Sequence, residues 1–398
     1  MKYFEMENKA NVLFGEYNGV TLPKRYTNEH EAYFSVRNSI LMTDFSHYGM
    51  VKISGEDAWR LLNYLISADI SSIRDEQLLY TLLLDKEGKI ISDAYVLCDN
   101  EHYFLISEWM NSDAICQQIK KVLDKQDERG ECYQIDAITS LTPDWRMICL
   151  EGPYAWEILS EIVGMDIIGL PFHEFMYVDE DVITMRVGKH GEYCYHIMGD
   201  EEKLMSIWRH LCTLSEKFDL KIGGVDDLKN IRLENPCWEP QVINPFSRCP
   251  IELQMQWAIS YDKDAFIGQD AIKQRADNGV DQKIVGARII NMPQNAAILQ
   301  GDAIYYQNEQ IGVVIQVGYS FILKEHIARI LLKREFAYVD IDDYKIKTAY
   351  GDIDFITTSI PFVNNLSLII NPTEDSYLES HQYQRKQILV LIIFWQCV

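Results

Sequence analysis

VKISGEDAWRLLNYLI (51–66) and ICLEGPYAWEILSEIV (148–163) align without a gap. Gly55 falls on Gly152, Ala58 on Ala155, Trp59 on Trp156 and Leu62 on Leu159. Each copy reads as a short apolar strand that stops at a glycine turn and passes into an amphipathic helix. Ser54 and Asp57 fit a capping-box pattern at the start of the first helix. Two strand-like runs and a second helix follow each copy. That helix shows Ile115, Ile119, Val122 and Leu123 on one face in the first unit. EEKLMSIWRHL (201–211) does the same with Leu204, Ile207, Trp208 and Leu211 in the second. The pattern describes two repeated α+β units, each with helices on one face of an antiparallel sheet, expected to pack around a shared cleft.

From about residue 283 the helical period gives way to short strands and turn residues, as in KIVGARIINM and GDAIYYQNEQIGVVIQV. This stretch predicts a small β-barrel or sandwich. The segment 366–398 reads as a tail of mixed signals, including the apolar run ILVLIIFW (388–395). That run is too short to span a bilayer and suits a sheet edge or a partner surface.

Bulk properties narrow the function classes. The 398 residues carry a formal net charge of −23, which argues against nucleic-acid or anionic-membrane partners. The start, MKYFEMENKANVLF, lacks the continuous apolar region of a secretory signal. Nine cysteines are scattered without a CxxC pair, and the nine histidines show no HExxH or HxH. The expectation is reduced thiols in a cytoplasmic protein, with no zinc or iron–sulfur site.

Within DKEGKIISDAYVL (85–97), Asp85–Lys89 make a glycine-containing turn between TLLL (81–84) and a second extended run. Asp93 then stands early in that run, where strand propensity disfavours aspartate. A carboxylate so placed is either a turn-adjacent surface residue or a functional group.

Several phrases, in order, bear on this choice: MTDFSHYGMVKISGEDA (42–58), YTLLLDKEGKIISDAYVL (80–97), LEGPYAWEIL (150–159), MRVGKHGEYCYHI (185–197), IRLE (231–234), PIELQMQW (250–257), DAFIGQDAI (264–272) and IGVVIQVGYS (311–320). Together they resemble the glycine cleavage T-protein, or aminomethyltransferase, superfamily over roughly residues 20–362. The resemblance implies a three-domain, cloverleaf-like fold with folate bound in a central channel. On this chain it divides into 1–50 together with 140–280 as one discontinuous α+β domain, 51–139 as a second α+β domain, 281–365 as a C-terminal β-barrel domain, and 366–398 as the tail.

The same resemblance implies tetrahydrofolate-dependent one-carbon transfer, with Asp93 as the catalytic carboxylate and Tyr80, thirteen residues upstream, beside it. The weakly nucleophilic folate nitrogens must be oriented and relieved of a proton, which a positioned carboxylate can do. Four positions depart from the family pattern. Ser92 replaces a first aspartate, and Lys189 stands where tyrosine is usual. His196 takes the place of the pterin-binding glutamate, or simply fills a strand position between Tyr195 and Ile197, and a neutral imidazole cannot accept two protons as a carboxylate does. Glu108 replaces an asparagine; it would select a cationic donor or face solvent. Arg232 falls where the family has an arginine near the ligand, with Glu234 as an alternative partner. Trp257 would wall the cleft or pack in the core, and Arg248 and Arg186 are weaker candidates for the folate carboxylates.

The implied partners are a small-molecule one-carbon donor and a lipoylated carrier protein. The family's oxidoreductase branch carries an added N-terminal flavin domain with a GxGxxG turn, whereas this sequence starts directly at the beginning of the folate-domain resemblance, so the resemblance implies no FAD. CYH (194–196) lacks the motif of the iron–sulfur-assembly branch. The alternative is a catalytically silent homologue that binds a folate-like or other small ligand for regulation or assembly.

Overall fold

The computed structural model describes residues 12–26, 29–100, 102–124, 130–293 and 295–380. The apolar run 388–395 lies outside the described residues. The two copies of the repeat build two sheets whose first four strands have the same order. In the first, the strands run in the order Gln77–Leu84, Ile90–Asp99, His102–Ser107, Gly49–Ser54, Ala137–Ser140. In the second, the order is Phe175–Asp179, Val182–Arg186, Cys194–Asp200, Trp145–Glu151, Ile40–Asp44, Leu220–Gly223. Each unit thus holds three strands between its two helices, where sequence periodicity suggested two.

The equivalent glycines explain why the repeat survives at those points. Gly55 and Gly152 have φ of 135° and 142°, a region that side chains disfavour. A Cβ on Gly55 would meet the Gln134 carbonyl oxygen at 2.6 Å, and one on Gly152 would meet that of Ser39 at 2.2 Å. The aligned tryptophans are not equivalent: Trp156 is buried, whereas Trp59 is 43% exposed. The capping box does not form either. Asp57 gives no side-chain cap to helix Ala58–Leu65 and instead accepts from Gln134 N and Arg60.

Strand alternation sorts each sheet into two faces. Ile148, Leu150, Tyr195 and Ile197 pack on helices Ala155–Val163 and Glu201–Thr213. Val51, Ile53, Ala94 and Val96 pack on helices Ala58–Leu65 and Ser112–Asp124. The opposite faces meet each other, so that Tyr95, Leu97, Phe104 and Ile106 share one core with Met147, Cys149, Cys194 and Met198. The units therefore stack helix, sheet, sheet, helix, with one apolar layer between the sheets.

One strand crosses between the units. Ile40–Asp44 precedes the first unit in the chain, yet it pairs antiparallel with Trp145–Glu151 of the second and parallel with Leu220–Gly223. Its five residues are all buried. The predicted C-terminal β structure is a closed six-stranded barrel, built from Gln282–Ile289, Ala303–Tyr306, Glu309–Ser320, Glu325–Lys333, Lys345–Thr348 and Gly351–Thr358. A further apolar cluster joins the barrel to the 85–90 hairpin and to residues 238–272, through Trp238, Phe266, Ile315 and Leu331.

Candidate active site

Gly88, with φ of 68°, makes the hairpin turn and so fixes where the next strand starts. In that strand Asp93, Tyr95 and Leu97 share one face, which is the face turned toward the inter-sheet layer. Asp93 is therefore 0% exposed. Its backbone is pinned from behind: Ser107 Oγ donates to the Asp93 carbonyl at 2.8 Å and lies 2.9 Å from Ser92 Oγ. Ser92 points toward the helix-covered face, where it is fully buried.

The Asp93 carboxylate receives two donors on Oδ2. Tyr80 Oη donates at 2.9 Å, and Lys189 Nζ at 2.6 Å. Oδ1 has no hydrogen-bond partner among the described residues. Burial pushes the Asp93 carboxyl above its usual value, against the opposing pull of Lys189, and the negative Glu108 adds to the rise. A carboxylate with one oxygen held and the other free is arranged to accept a proton or orient a nucleophile.

Lys189 also donates to Glu108 at 3.0 Å, and Arg232 Nη2 stands 2.5 Å from the other Glu108 oxygen. Burial opposes ionisation of Glu108, but the Arg232 and Lys189 charges override it and hold the carboxyl well below the usual range. Two carboxylates and two cations make a closed, charge-balanced chain, the arrangement that buried charges require. His47 lies 4.0 Å from Glu108 and makes no hydrogen bond among the described residues. Burial holds it neutral, pushed down to about 4.

His196 sits on the inter-sheet face of strand Cys194–Asp200, edge-on to Phe45 and Tyr48. Burial keeps it neutral as well, pushed down to about 3. Trp257 stacks on the Tyr80 ring at 5.1 Å and closes the solvent side of the cluster. Beside it a cavity of about 570 Å³ runs between residues 236–257 and the barrel, lined in part by Cys237, Met255, Lys283 and Tyr338.

The loop that carries Lys189 is anchored by His190, whose Nδ1 lies 2.8 Å from Glu151. Burial works against its charge, but Glu151 prevails and raises the imidazole from 6.5 to about 9. Because the folded value is the higher one, the stabilisation is complete below pH 6.5 and is lost as pH rises through about 9. Its size is on the order of 3 kcal/mol. In denaturant unfolding, the advantage of the parent chain over His190→Gln should shrink by about that amount between pH 6 and pH 10. An advantage independent of pH would show that His190 is not charged in the folded state.

Residues 3–263 match the family model described as the GCVT N-terminal domain. The chain belongs to the glycine cleavage T-protein family. It is 28% identical over 321 residues to an aminomethyltransferase of Alkaliphilus oremlandii (strain OhILAs), covering 78% of this chain and 82% of that one. An aminomethyltransferase of Thermoanaerobacter sp. (strain X514) is 26% identical over 346 residues, covering 84% and 89%. The crystal structure of glycine cleavage system aminomethyltransferase T from Bartonella henselae superposes with a TM-score of 0.75 at 20% identity, over 91% of this chain and 97% of that one. This last likeness shows the shared fold.

Within this T-protein fold, the structure brings Asp93, Tyr80, Glu108, Arg232 and Trp257 into one cluster, with His196 close behind. Three expectations are corrected. Glu108 does not face solvent; it is 2% exposed between two cations. Arg232 pairs with Glu108 rather than Glu234, because Glu234 is already held by Arg37, Tyr33 and Ser320. Trp257 is no core residue, being 63% exposed as the outer member of its stack.

Arg248 and Arg186 stand apart from the T-protein cluster. The first pairs with Asp85, and the second donates to the Leu170 carbonyl and lies over the Tyr193 ring. Sequence reading registered Lys189 only as a departure from the family. Its role as the bridge between Asp93 and Glu108 follows from a contact across 96 residues, which no local pattern reveals. Nor did cysteine spacing show that Cys149, Cys194 and His196 converge. Among the described residues, no helix is long and apolar enough to cross a membrane.

Proposed function

We propose that the chain is a transferase that moves a one-carbon group to or from tetrahydrofolate, with Asp93 as its catalytic carboxylate. The observation that carries this reading is the free Oδ1 of a fully buried Asp93 whose other oxygen is fixed by Tyr80 and Lys189. Such an orphaned acceptor suits a donor on a bound ligand. Tetrahydrofolate, when bound, supplies the nucleophilic N5 and N10 nitrogens.

The residues present fit that ligand, with one rearrangement. Tyr80 and Trp257 offer an aromatic wall to a conjugated ring system. Asp93 orients the reacting nitrogen and takes its proton. The family's glutamate is replaced at His196, but Glu108 sets an ionised carboxylate in the same inter-sheet layer. Glu108 therefore takes over acceptance of the pterin donors, and Arg232 and Lys189 hold it in place. Lys283 in the adjoining cavity is a counter-charge for carboxylates at the ligand's far end.

Two donor classes remain within this chemistry: an aminomethyl group on a lipoylated carrier protein, with ammonia released, or a methyl group on a small molecule. The names of the relatives favour the first.

Equilibrium titration with tetrahydrofolate tests the reading. Binding by the parent chain is expected, weakened by roughly tenfold or more in Glu108→Gln, as loss of a charged hydrogen bond implies. Absence of binding at millimolar ligand would sink the folate assignment. Ammonia release from an aminomethylated lipoyl carrier, against methyl transfer from small donors, separates the two classes.

A further inference from the structure

Strands Trp145–Glu151 and Cys194–Asp200 run antiparallel with Cys149 directly opposite His196. Cys194 lies two residues before His196, on the same inter-sheet face. One ligand atom from each of the three residues lies within 4.8 Å of the others, and all three are buried. The two sulfurs are 3.6 Å apart. Zinc–sulfur bonds of about 2.3 Å in tetrahedral geometry separate two sulfurs by about 3.8 Å, so the pair already stands near that spacing. His196 Nδ1 is buried and makes no hydrogen bond among the described residues. Edge contacts with Phe45 and Tyr48 hold the ring in place.

We infer that Cys149, Cys194 and His196 form a binding site for a zinc-class divalent cation. Two sulfurs and an imidazole select a borderline or soft metal over magnesium or calcium, which prefer oxygen ligands. Charge also favours a divalent ion. Binding expels the two thiol protons to solvent, and two thiolates with one dication leave a neutral unit, which a buried layer tolerates. Three protein ligands leave the fourth tetrahedral position open to a ligand from outside the chain, as in sites that do more than brace a fold. With Glu108 as the carboxylate near Asp93, His196 is free for this duty. The site itself depends on neither folate nor turnover.

Titrating the reduced full-length chain with cobalt(II), without folate, tests the assignment. The expected result is one equivalent bound, with thiolate-to-cobalt charge-transfer absorption and tetrahedral d–d bands that zinc abolishes and magnesium does not. Cys194→Ser and His196→Asn should each weaken cobalt binding by roughly tenfold or more. Cys116→Ser, on a helix outside the cluster, should bind as the parent does. Parent protein without charge-transfer bands would overturn the proposal, whatever the variants do. So would unchanged binding in folded Cys194→Ser and His196→Asn, which would leave the close sulfurs as a packing contact.

Discussion

Asp93→Asn should lower turnover by roughly 10²–10⁴-fold while tetrahydrofolate affinity changes by less than about tenfold. Asparagine has the same shape, so the Tyr80 and Lys189 donors can still meet its side-chain oxygen. The strand also keeps its place, because Ser107 holds the backbone carbonyl rather than the side chain. What disappears is the capacity to take a proton at the free oxygen. Single-turnover rates measured beside equilibrium binding separate the effects. Unchanged turnover would remove Asp93 from the chemistry, and a parallel collapse of affinity would make it a binding residue instead.

Arg37→Met should cost about 3–5 kcal/mol of stability, the usual consequence of stripping one partner from a buried ion network. Arg37 meets Glu192 at 3.0 Å and Glu234 at 2.6 Å, and also donates to the Asn365 side chain. It thereby joins helix Glu29–Asn38, the segment after Lys189, helix Lys229–Glu234 and the chain leaving the barrel. Methionine fills comparable volume but leaves two buried carboxylates. Glu234 would retain Tyr33 and Ser320, and Glu192 would retain Ser367 and the Leu366 and Ser367 amides. These neutral donors do not balance two charges. A loss below about 1 kcal/mol in denaturant unfolding would show that solvent reaches the network freely.

Much of the architecture could be read from local signals. Gly55 and Gly152 mark the repeat because their backbone positions tolerate no side chain, and Gly88 marks the hairpin for a similar reason. Asp93 and Tyr80 lie on paired strands, so their thirteen-residue separation becomes a 2.9 Å hydrogen bond. The residues misread are those whose partners lie far along the chain. Glu108 follows an apolar run and looks like a strand end until Lys189 and Arg232 enclose it. Arg232 has a carboxylate two positions away, but residues two apart on a helix do not face each other, and Glu234 is held by Arg37, Tyr33 and Ser320. Cys149 and His196 meet through sheet register, which is set by the whole fold.

The exchanged strand Ile40–Asp44 has a consequence for how the chain must be made. Its partners, Trp145–Glu151 and Leu220–Gly223, are synthesised later by about 100 and 180 residues. At ordinary elongation rates that is a delay of roughly 5–20 s before the nearer partner emerges. Throughout it an apolar ILM segment has its backbone groups unpaired, a template for pairing with other nascent chains. The first unit can assemble on its own schedule, but the second cannot complete its sheet until a strand made before either unit is recovered. Assembly thus runs backward along the chain at this point, and residues 40–44 are a segment that must be kept from pairing elsewhere while their partners are made.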